Sequence, residues 1–355
     1  MQVTDSATNV RPGEEIDAHK VGLFLKSHIN DLEGEVQIRQ FPSGFSNLTY
    51  LISAGDRQMV LRRPPIGANV KAGHDMGREY RVLSALHPVF PRSPRPLVFC
   101  EDESVIGAPF FVMEKLSGII LRKDLPEGIS YSPRLAKTLC ENMVDALADI
   151  HAIDVKSAGL DFIGKPTGYV KRQVDGWSNR YRRAKTEDAP DFEAVMAWLK
   201  DKMPQDTDQP AMVHNDYKLD NLVLDPKNPE QIIGILDWEM ATHGDPLMDL
   251  GNSLAYWVET ADPDQMQMMR TMPTNMEGAL TRQQILERYA LKTGRDTSQF
   301  DFYYCFGLFR LAVIAQQIYN RYHQGITQNK RFAMLIFGVI GLEQTARRVM
   351  ASSRL

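Results

Sequence analysis

VHNDYKLDNLVL, residues 213–224, and ILDWE, residues 235–239, are the most informative stretches of this sequence, and each includes a short apolar run typical of a β-strand. The first stretch has Asn221 five residues after Asp216, and Asp237 follows sixteen residues later in the second. Phosphoryl transfer needs a carboxylate that orients the attacking hydroxyl group, and oxygen ligands that hold Mg²⁺ against the phosphates. Asp216, Asn221 and Asp237 have the side chains that this chemistry uses.

The composition is that of an ordinary globular chain. Of 355 residues, 43% are hydrophobic and 24% are charged, with a formal net charge of -4. This length predicts two domains, or one enzyme with two lobes. The slightly negative charge argues against a nucleic-acid partner, which would require a cationic face.

Three cysteines, Cys100, Cys140 and Cys305, lie far apart and form no CxxC pair. Neither a disulfide framework nor a zinc site is therefore expected, and a reducing cytoplasm fits best. The N-terminus lacks the apolar core of a signal peptide, and the apolar stretch 332–342 is too short to cross a bilayer, so no membrane partner is expected.

The first third of the chain alternates short apolar runs with turn residues. Residues 1–13 are polar and are expected to form a flexible leader. Helical spacing of apolar residues predicts helices at 14–29 and 74–86. Short β-branched or alternating runs, separated by turn residues, predict an antiparallel sheet with strands at 35–41, 48–54, 58–62, 96–100 and 110–116.

From Pro133 onward the apolar residues follow mainly helical spacing. Helices are predicted at 133–151, 169–185, 192–203, 246–257, 282–293, 300–322 and 330–350, with two short strands at 222–224 and 232–236. The sequence therefore predicts an α+β fold with two lobes and a nucleotide-binding cleft between them. The small antiparallel β N-lobe is expected at residues 14–116 and the larger, mainly helical C-lobe at residues 117–355.

With these motifs, the chain resembles the aminoglycoside phosphotransferase and choline kinase superfamily, small-molecule kinases with a protein-kinase-like fold. HNDYKLDN (214–221) is similar to the catalytic loop of that family, and LDWE (236–239) is similar to its metal-binding motif. The resemblance implies that Asp216 is the catalytic base or hydroxyl-orienting residue. It also implies that Asn221 and Asp237 are magnesium ligands and that ATP is the phosphoryl donor.

Several other phrases are most similar to the kinase domain that some organisms carry beside acyl-CoA dehydrogenases. They are SNLTYLIS (46–53), VLRRPP (60–65), REYRVLSAL (78–86) and GYVKRQVDGW (168–177). In that subgroup an arginine at position 62 is usual. The acceptor implied by association is a hydroxylated acyl thioester.

The same resemblance assigns nucleotide contacts to the N-lobe. A polar segment between two predicted strands takes the place of the kinase phosphate lid, with Ser43, Gly44, Ser46 and Asn47 as its small or polar residues. A plain hairpin turn is the alternative, because no GxGxxG motif is present. Arg62 stands in the position of the kinase lysine, and Glu79 in the next helix is expected to pair with it. Backbone groups of Glu114 and Leu116, in the linker between the lobes, are expected to contact adenine.

The acceptor side combines a short connection with a basic helix. The helix that contains Asp249 begins soon after Asp237, which leaves little room for the long substrate-binding segment of a protein kinase, so a small acceptor is favoured. Residues 164–185 contain seven Lys or Arg residues and one acidic residue. A basic stripe at helical spacing favours an anionic acceptor such as a hydroxy acid or hydroxyacyl-CoA, and comprises Tyr169, Arg172, Trp177 and Arg180. A solvated basic face is the alternative.

Three polar residues near the motifs are interpreted as structural. His214 is expected to brace the loop, because the chemistry needs no second base. Asp249 is expected to brace the same loop from below. Asp245 is expected to cap the helix that begins at Pro246.

A catalytically silent, kinase-like nucleotide-binding module is the alternative to an enzyme. Arg62 in the lysine position and the missing glycine motif favour that alternative. The complete set of Asp216, Asn221 and Asp237 speaks against it.

Overall fold

The computed structural model describes residues 7–42, 47–66 and 75–355. The chain divides into two compact units. The first comprises the residues up to Ile120 together with Lys156–Leu160 and Asn221–Ala241, and the second comprises Leu121–Val155, Asp161–Asp220 and Thr242–Leu355. The ILDWE motif therefore belongs to the same unit as the N-terminal strands.

The first 120 residues form helices α1 (Ala18–His28) and α2 (Met76–Leu86), and strands β1 (Gln37–Gln40), β2 (Leu48–Ala54), β3 (Arg57–Arg63), β4 (Pro96–Cys100) and β5 (Phe110–Glu114). Aspartates cap both helices. Asp17 accepts a hydrogen bond from the His19 N–H at 2.9 Å, and Asp75 accepts one from the Arg78 N–H at 2.9 Å. The helix predicted from Glu14 begins at Ala18 because Asp17 is its cap.

The five strands form one antiparallel sheet in the order β1-β2-β3-β5-β4, which confirms the predicted sheet. In β3, Leu61 pairs with Tyr50 on one side and Val112 on the other, and all three side chains are buried with Leu25 of α1. Since successive side chains of a strand point to opposite faces, the next residue, Arg62, points away from this apolar cluster.

The remaining elements, in chain order, are α3 (Pro133–His151), α4 (Tyr169–Ala184), α5 (Glu193–Asp201), β6 (Ala211–Val213), β7 (Leu222–Leu224), β8 (Ile232–Ile235), β9 (Thr242–Gly244), α6 (Pro246–Ala255), α7 (Asp264–Met269), α8 (Arg282–Thr293), α9 (Phe300–His323) and α10 (Leu335–Ser352). A 3₁₀ helix at Lys330–Met334 precedes α10, so the helix predicted from Lys330 begins five residues later.

Strands β7 and β8 form an antiparallel hairpin within the first unit. Backbone hydrogen bonds join Leu224 and Ile119 in both directions, at 2.9 and 2.8 Å, and the Ile235 N–H donates to the Arg92 carbonyl at 2.8 Å. These bonds attach the hairpin to the segments that flank β4 and β5.

In the second unit, the long helix α9 packs against α4, α6 and α10, while β6 pairs with β9. Two glycines allow α6 and α9 to approach closely. A Cβ atom on Gly251 would lie 2.3 Å from the Tyr303 carbonyl oxygen, and one on Gly307 would lie 2.2 Å from the Gly251 carbonyl oxygen. The two backbones can therefore meet at this crossing only without side chains.

The α+β prediction is confirmed, with a small antiparallel sheet and a mainly helical second unit. Strands β6 and β9 and helix α7 were not predicted. Each of the two strands has three residues, and β9 (Thr-His-Gly) is not apolar, unlike the apolar run of β7 that was predicted. In the described ranges, no helix has the length and apolar composition that crossing a bilayer would require.

Candidate active site

Asp237 and Asn221 lie at the same end of the β7–β8 hairpin. The Leu236 N–H donates a hydrogen bond to the Asn221 carbonyl at 2.8 Å. The backbone of Asp237, the next residue, therefore follows directly from a residue bonded to Asn221. Asp237 adopts the left-handed conformation, with φ 69° and ψ 64°, which aspartate tolerates better than most residues. Both residues remain half-buried, so each keeps contact with solvent.

Arg62 is a buried cation that contacts three carboxylates within the first unit. Its Nη1 atom lies 2.8 Å from Glu79 Oε1, its Nη1 and Nη2 atoms both lie 3.1 Å from Asp237 Oδ1, and its Nη2 atom lies 3.3 Å from Glu239 Oε2. The predicted pairing of Arg62 with Glu79 is therefore confirmed. The guanidinium group thus joins Glu79 to the two acidic residues of the LDWE motif.

The electrostatics of this cluster keep Arg62 charged. Burial opposes its charge, but the carboxylates of Glu79, Asp237 and Glu239 raise the pKa of Arg62 above its usual range. Burial raises the pKa of Glu79, with the positive charge of Arg62 opposing the rise. Arg62 Nε and Glu79 Oε2 are buried without a hydrogen-bond partner in the described part of the chain. The cluster thus has one N–H donor and one carboxylate oxygen that could still form a hydrogen bond.

The turn after Asp237 is attached to the N-terminal sheet and to α2. Asn47 donates a short hydrogen bond to Glu239 Oε2. Arg78 donates to the carbonyl oxygens of Glu239 and Ala241, at 2.9 and 2.5 Å. Of the predicted lid residues, Asn47 is thus held at the LDWE motif. The other three, Ser43, Gly44 and Ser46, lie outside the described residues.

The predicted adenine contacts fall at the end of β5. The Glu114 N–H donates to the Arg95 carbonyl at 2.8 Å, so a contact between Glu114 and adenine would have to use the Glu114 carbonyl oxygen. The side chain of Glu114 is exposed and Leu116 is half-buried two residues later.

In the second unit, the loop after β6 is held from below by Asp249. Its carboxylate accepts hydrogen bonds from the backbone N–H groups of His214 at 2.6 Å and Asn215 at 2.7 Å, and it lies 3.2 Å from His151 Nε2. Burial opposes ionisation, but the hydrogen bonds from His151 and His214 hold the pKa of Asp249 below its usual value. The interpretation of Asp249 as a brace is confirmed.

His214 also has a structural position. It is fully buried, and its Nδ1 atom accepts a hydrogen bond from the Asp216 N–H at 3.2 Å. Asp245 caps α6 by accepting from the Leu247 N–H at 2.9 Å, as predicted. Asn215 has a positive φ of 65°, so the chain turns sharply just before Asp216.

Lys218 is a neighbour of Asp216 that the sequence reasoning did not single out. Its Nζ atom lies 3.3 Å from Asp216 Oδ2, 3.7 Å from Asp220 Oδ1 and 5.0 Å from the centre of the Tyr256 ring. Burial opposes its charge, but Asp216, Tyr256 and Asp220 raise the pKa of Lys218 above its usual range. The motif itself contained this signal, because Lys218 is two residues after Asp216.

The structure divides the basic stripe. Arg172 donates short hydrogen bonds to the carbonyl oxygens of Lys165 and Thr167, so its guanidinium group holds the loop that precedes α4. Tyr169 is buried and donates to Asn215 Oδ1 at 3.1 Å. Only Trp177 and Arg180 remain together, with the guanidinium carbon of Arg180 lying 4.6 Å from the Trp177 ring centre.

In the described ranges, no group of three or more His, Cys, Asp or Glu side chains could hold a metal ion. The oxygen donors of Asn221 and Asp237 nevertheless suit Mg²⁺. This ion keeps several water ligands and is usually bound through one or two carboxylates together with substrate phosphates.

Comparison with known sequences identifies a match between residues 37–279 and the family model "APH: Phosphotransferase enzyme family". The chain is 33% identical over 340 residues to acyl-CoA dehydrogenase family member 11 of Rattus norvegicus, covering 92% of this chain and 42% of that protein. It is 36% identical over 312 residues to family member 10 of Mus musculus, covering 87% of this chain and 28% of that protein. The chain thus spans less than half the length of these relatives.

Comparison with solved structures identifies proteins that share the fold of this chain. A candidate aminoglycoside phosphotransferase of Ralstonia eutropha JMP134 superposes with a TM-score of 0.81 at 28% identity, covering 96% of this chain and 100% of that one. Choline kinase of Cryptosporidium parvum superposes with a TM-score of 0.63 at 12% identity, covering 94% and 96%. The fold is therefore kinase-like.

Proposed function

Because this chain belongs to the phosphotransferase enzyme family, we propose that it is a small-molecule kinase that transfers the γ-phosphoryl group of ATP to an acceptor hydroxyl group. The observation that carries the proposal is the contact of buried Arg62 with both Glu79 and Asp237. A cation joined to the metal-binding motif is what a site for charged phosphates requires.

The proposed nucleotide contacts lie in the first unit. Arg62 would bind phosphate oxygens, Glu79 would hold Arg62 in place, and Asn221 and Asp237 would hold Mg²⁺. When bound, Mg²⁺ neutralises charge on the phosphates. Other nucleotide contacts are assigned to the lid and to the backbone after β5, at Ser43, Gly44, Ser46, Asn47, Glu114 and Leu116.

The proposed transfer chemistry lies in the second unit. Asp216 would accept a hydrogen bond from the acceptor hydroxyl group and orient it for attack. As the oxygen attacks phosphorus and its bond to hydrogen breaks, the proton passes to Asp216, while ADP leaves with the electrons of the broken P–O bond. Lys218 Nζ lies 3.3 Å from Asp216 Oδ2 and would hold that carboxylate in position.

We further propose an anionic acceptor, such as a hydroxy acid or a hydroxyacyl-CoA. The basic residues of α4 support an anion over a cation such as choline. The relatives named for acyl-CoA dehydrogenases favour the acyl class. Three buried, unpaired cysteines fit the reducing cytoplasm as the working compartment. The silent-module alternative is not favoured, because Arg62 is integrated with the metal-binding motif rather than detached from it.

The test is ATP-dependent phosphorylation by the purified chain with Mg²⁺. The acceptor panel comprises hydroxyacyl-CoA esters, free hydroxy acids, choline, homoserine and an aminoglycoside. Asp216→Ala should lower transfer by roughly three orders of magnitude while nucleotide affinity is kept, because its carboxylate acts on the acceptor. Asp237→Ala should weaken binding of the magnesium nucleotide itself. Asp225→Ala, in the turn of the same hairpin, is the charge-matched control.

Absence of Mg²⁺-dependent ATP binding in the unmodified chain would contradict the proposal. Full activity of Asp216→Ala would contradict its assigned role. Transfer to choline or the aminoglycoside alone would reject the anionic acceptor and retain the kinase.

A further inference from the structure

Arg310 is a buried arginine of α9 that lies against the loop of Asp216. It is 5% exposed, and its Nη2 atom donates to the Asn215 carbonyl oxygen at 2.8 Å. That carbonyl belongs to the peptide group joining Asn215 to Asp216. The guanidinium group is therefore bound to the residue that immediately precedes the proposed catalytic Asp216.

Trp177 joins Arg310 to Arg180. The guanidinium carbon of Arg310 lies 5.1 Å from the Trp177 ring centre, and that of Arg180 lies 4.6 Å from it. Both distances are within the range of cation–π contacts. The indole N–H donates to Gln173 Oε1 at 3.2 Å, which holds the ring in its orientation. Two cations and one aromatic ring thus form a small cluster, and we name its two arginines the Arg180–Arg310 pair.

In the part of the chain that the structure describes, neither guanidinium group of this pair has a carboxylate within 4.0 Å. Arg62 differs from this pair, because its guanidinium group contacts three carboxylates. Burial, together with the positive charges of Arg310 and Arg183, lowers the pKa of Arg180. Like charges that are partly withdrawn from water raise the free energy of the site, and a bound anion would relieve this.

We propose that Arg180, Arg310 and Trp177 bind the anionic group of the acceptor. This inference rests on the proposed kinase function and defines which part of the basic stripe serves it. A carboxylate or phosphate matches the fork of an arginine, and the indole face supplies an apolar wall beside it. Since Arg310 is attached to the loop of Asp216, a bound anion would fix the position of the acceptor relative to that carboxylate.

Two sources could supply this anion: the carboxylate of a free hydroxy acid, or a phosphate of its CoA ester. The experiment uses 3-hydroxybutyrate, its uncharged methyl ester and 3-hydroxybutyryl-CoA as acceptors. Arg180→Gln removes one cation at an exposed position. Lys185→Gln removes the same charge from the exposed residue that follows α4 and is the matched control. Arg310→Lys keeps the charge of the buried residue but loses its fork.

Arg180→Gln should raise the KM of the anionic acceptor roughly 10- to 100-fold, the range expected for a hydrogen bond between charged groups. Its KM for ATP and its activity with the methyl ester should change little, and Lys185→Gln should resemble the unmodified chain. An effect confined to 3-hydroxybutyrate identifies the carboxylate as the ligand, and one confined to 3-hydroxybutyryl-CoA identifies a phosphate. Equal losses with the methyl ester, or no change with any acceptor, would overturn the inference.

A binding measurement separates this inference from the kinase proposal. If the unmodified chain phosphorylates nothing, calorimetric titration with 3-hydroxybutyrate and with coenzyme A still tests the site. Tighter binding to the unmodified chain than to Arg180→Gln and Arg310→Lys would support an anion site without kinase activity. Equal binding by all three, or none, would reject it.

Discussion

At the scale of single residues, the contacts of Arg62 depend on the shape of its guanidinium group. The planar guanidinium contacts Glu79 through Nη1 and reaches Asp237 and Glu239 through Nη2. A lysine ammonium is a compact point charge on a flexible stem and does not offer this fixed fork. The arginine therefore connects Glu79 of α2 to Asp237 and Glu239 of the LDWE motif.

Asp249 leads to a prediction about pH. Its pKa is held below the usual value in the folded chain, so its contribution to stability is present above the unfolded pKa, about 3.9. That contribution is lost as the pH falls through the lower, folded value. Asp249→Asn should cost about 3–5 kcal/mol at pH 7, because buried donors lose their charged partner. The cost should shrink below about pH 4.

Urea unfolding at pH 7, 5 and 3 measures this dependence. The control is Asp175→Asn, which removes a partly exposed carboxylate paired with Lys171 and should change stability by less than about 1 kcal/mol. A loss for Asp249→Asn that stays the same at all three pH values would contradict the electrostatic explanation.

At the scale of secondary structure, the crossing of α6 and α9 determines which side chains reach the loop after β6. Gly251 and Gly307 allow the two backbones to meet. Asp249 lies two residues before Gly251, and Arg310 lies three residues after Gly307. The close crossing thus brings one anion and one cation to the same loop, at the backbone groups of Asn215.

Gly307→Ala should therefore destabilise the chain by roughly 1–3 kcal/mol, because its Cβ would lie 2.2 Å from a backbone oxygen atom and the helices would have to separate. Gly341→Ala in α10 is the matched control. Its Cβ would meet atoms no closer than 3.6 Å, so the exchange should be neutral or stabilising by about 0.5–1 kcal/mol. Denaturant unfolding compares the two, and equal effects would argue against the tight crossing.

The limits of some helices can be predicted from local sequence signals alone, whereas those of some strands cannot. The limits predicted for α3 and α8 match those observed. Ser132 caps α3 with Pro133 behind it, and Thr281 forms a capping box with Gln284, so both helices begin at strong local signals. Strands β6 and β9 depend on pairing with each other across about thirty residues, and no local pattern indicates that pairing.

At the scale of the whole molecule, the chain is built from two compact units, and the proposed nucleotide contacts all belong to the first. A ligand that binds only the folded state stabilises it through mass action. Magnesium with a non-hydrolysable ATP analogue, at a hundred times its Kd, should add about 2.7 kcal/mol and raise the Tm by several degrees.

Removal of the metal tests this prediction. EDTA should abolish most of the shift if Mg²⁺ is held by Asn221 and Asp237 together with the phosphates. Differential scanning calorimetry with and without EDTA measures the effect. A shift of the same size without metal would contradict the assigned ligands.

The sequence by itself determined the residue types and spacing of the two motifs and the α+β class, and its resemblance to a kinase family implied the pairing of Arg62 with Glu79. The α+β class follows from local periodicity and from turn and cap chemistry. Only the tertiary structure decided which residues of the basic stripe stay together and that Arg310 contacts the backbone of Asn215. Helical period gives the face of a residue but not what packs against it, and Arg310 is 95 positions away from Asn215 in the chain.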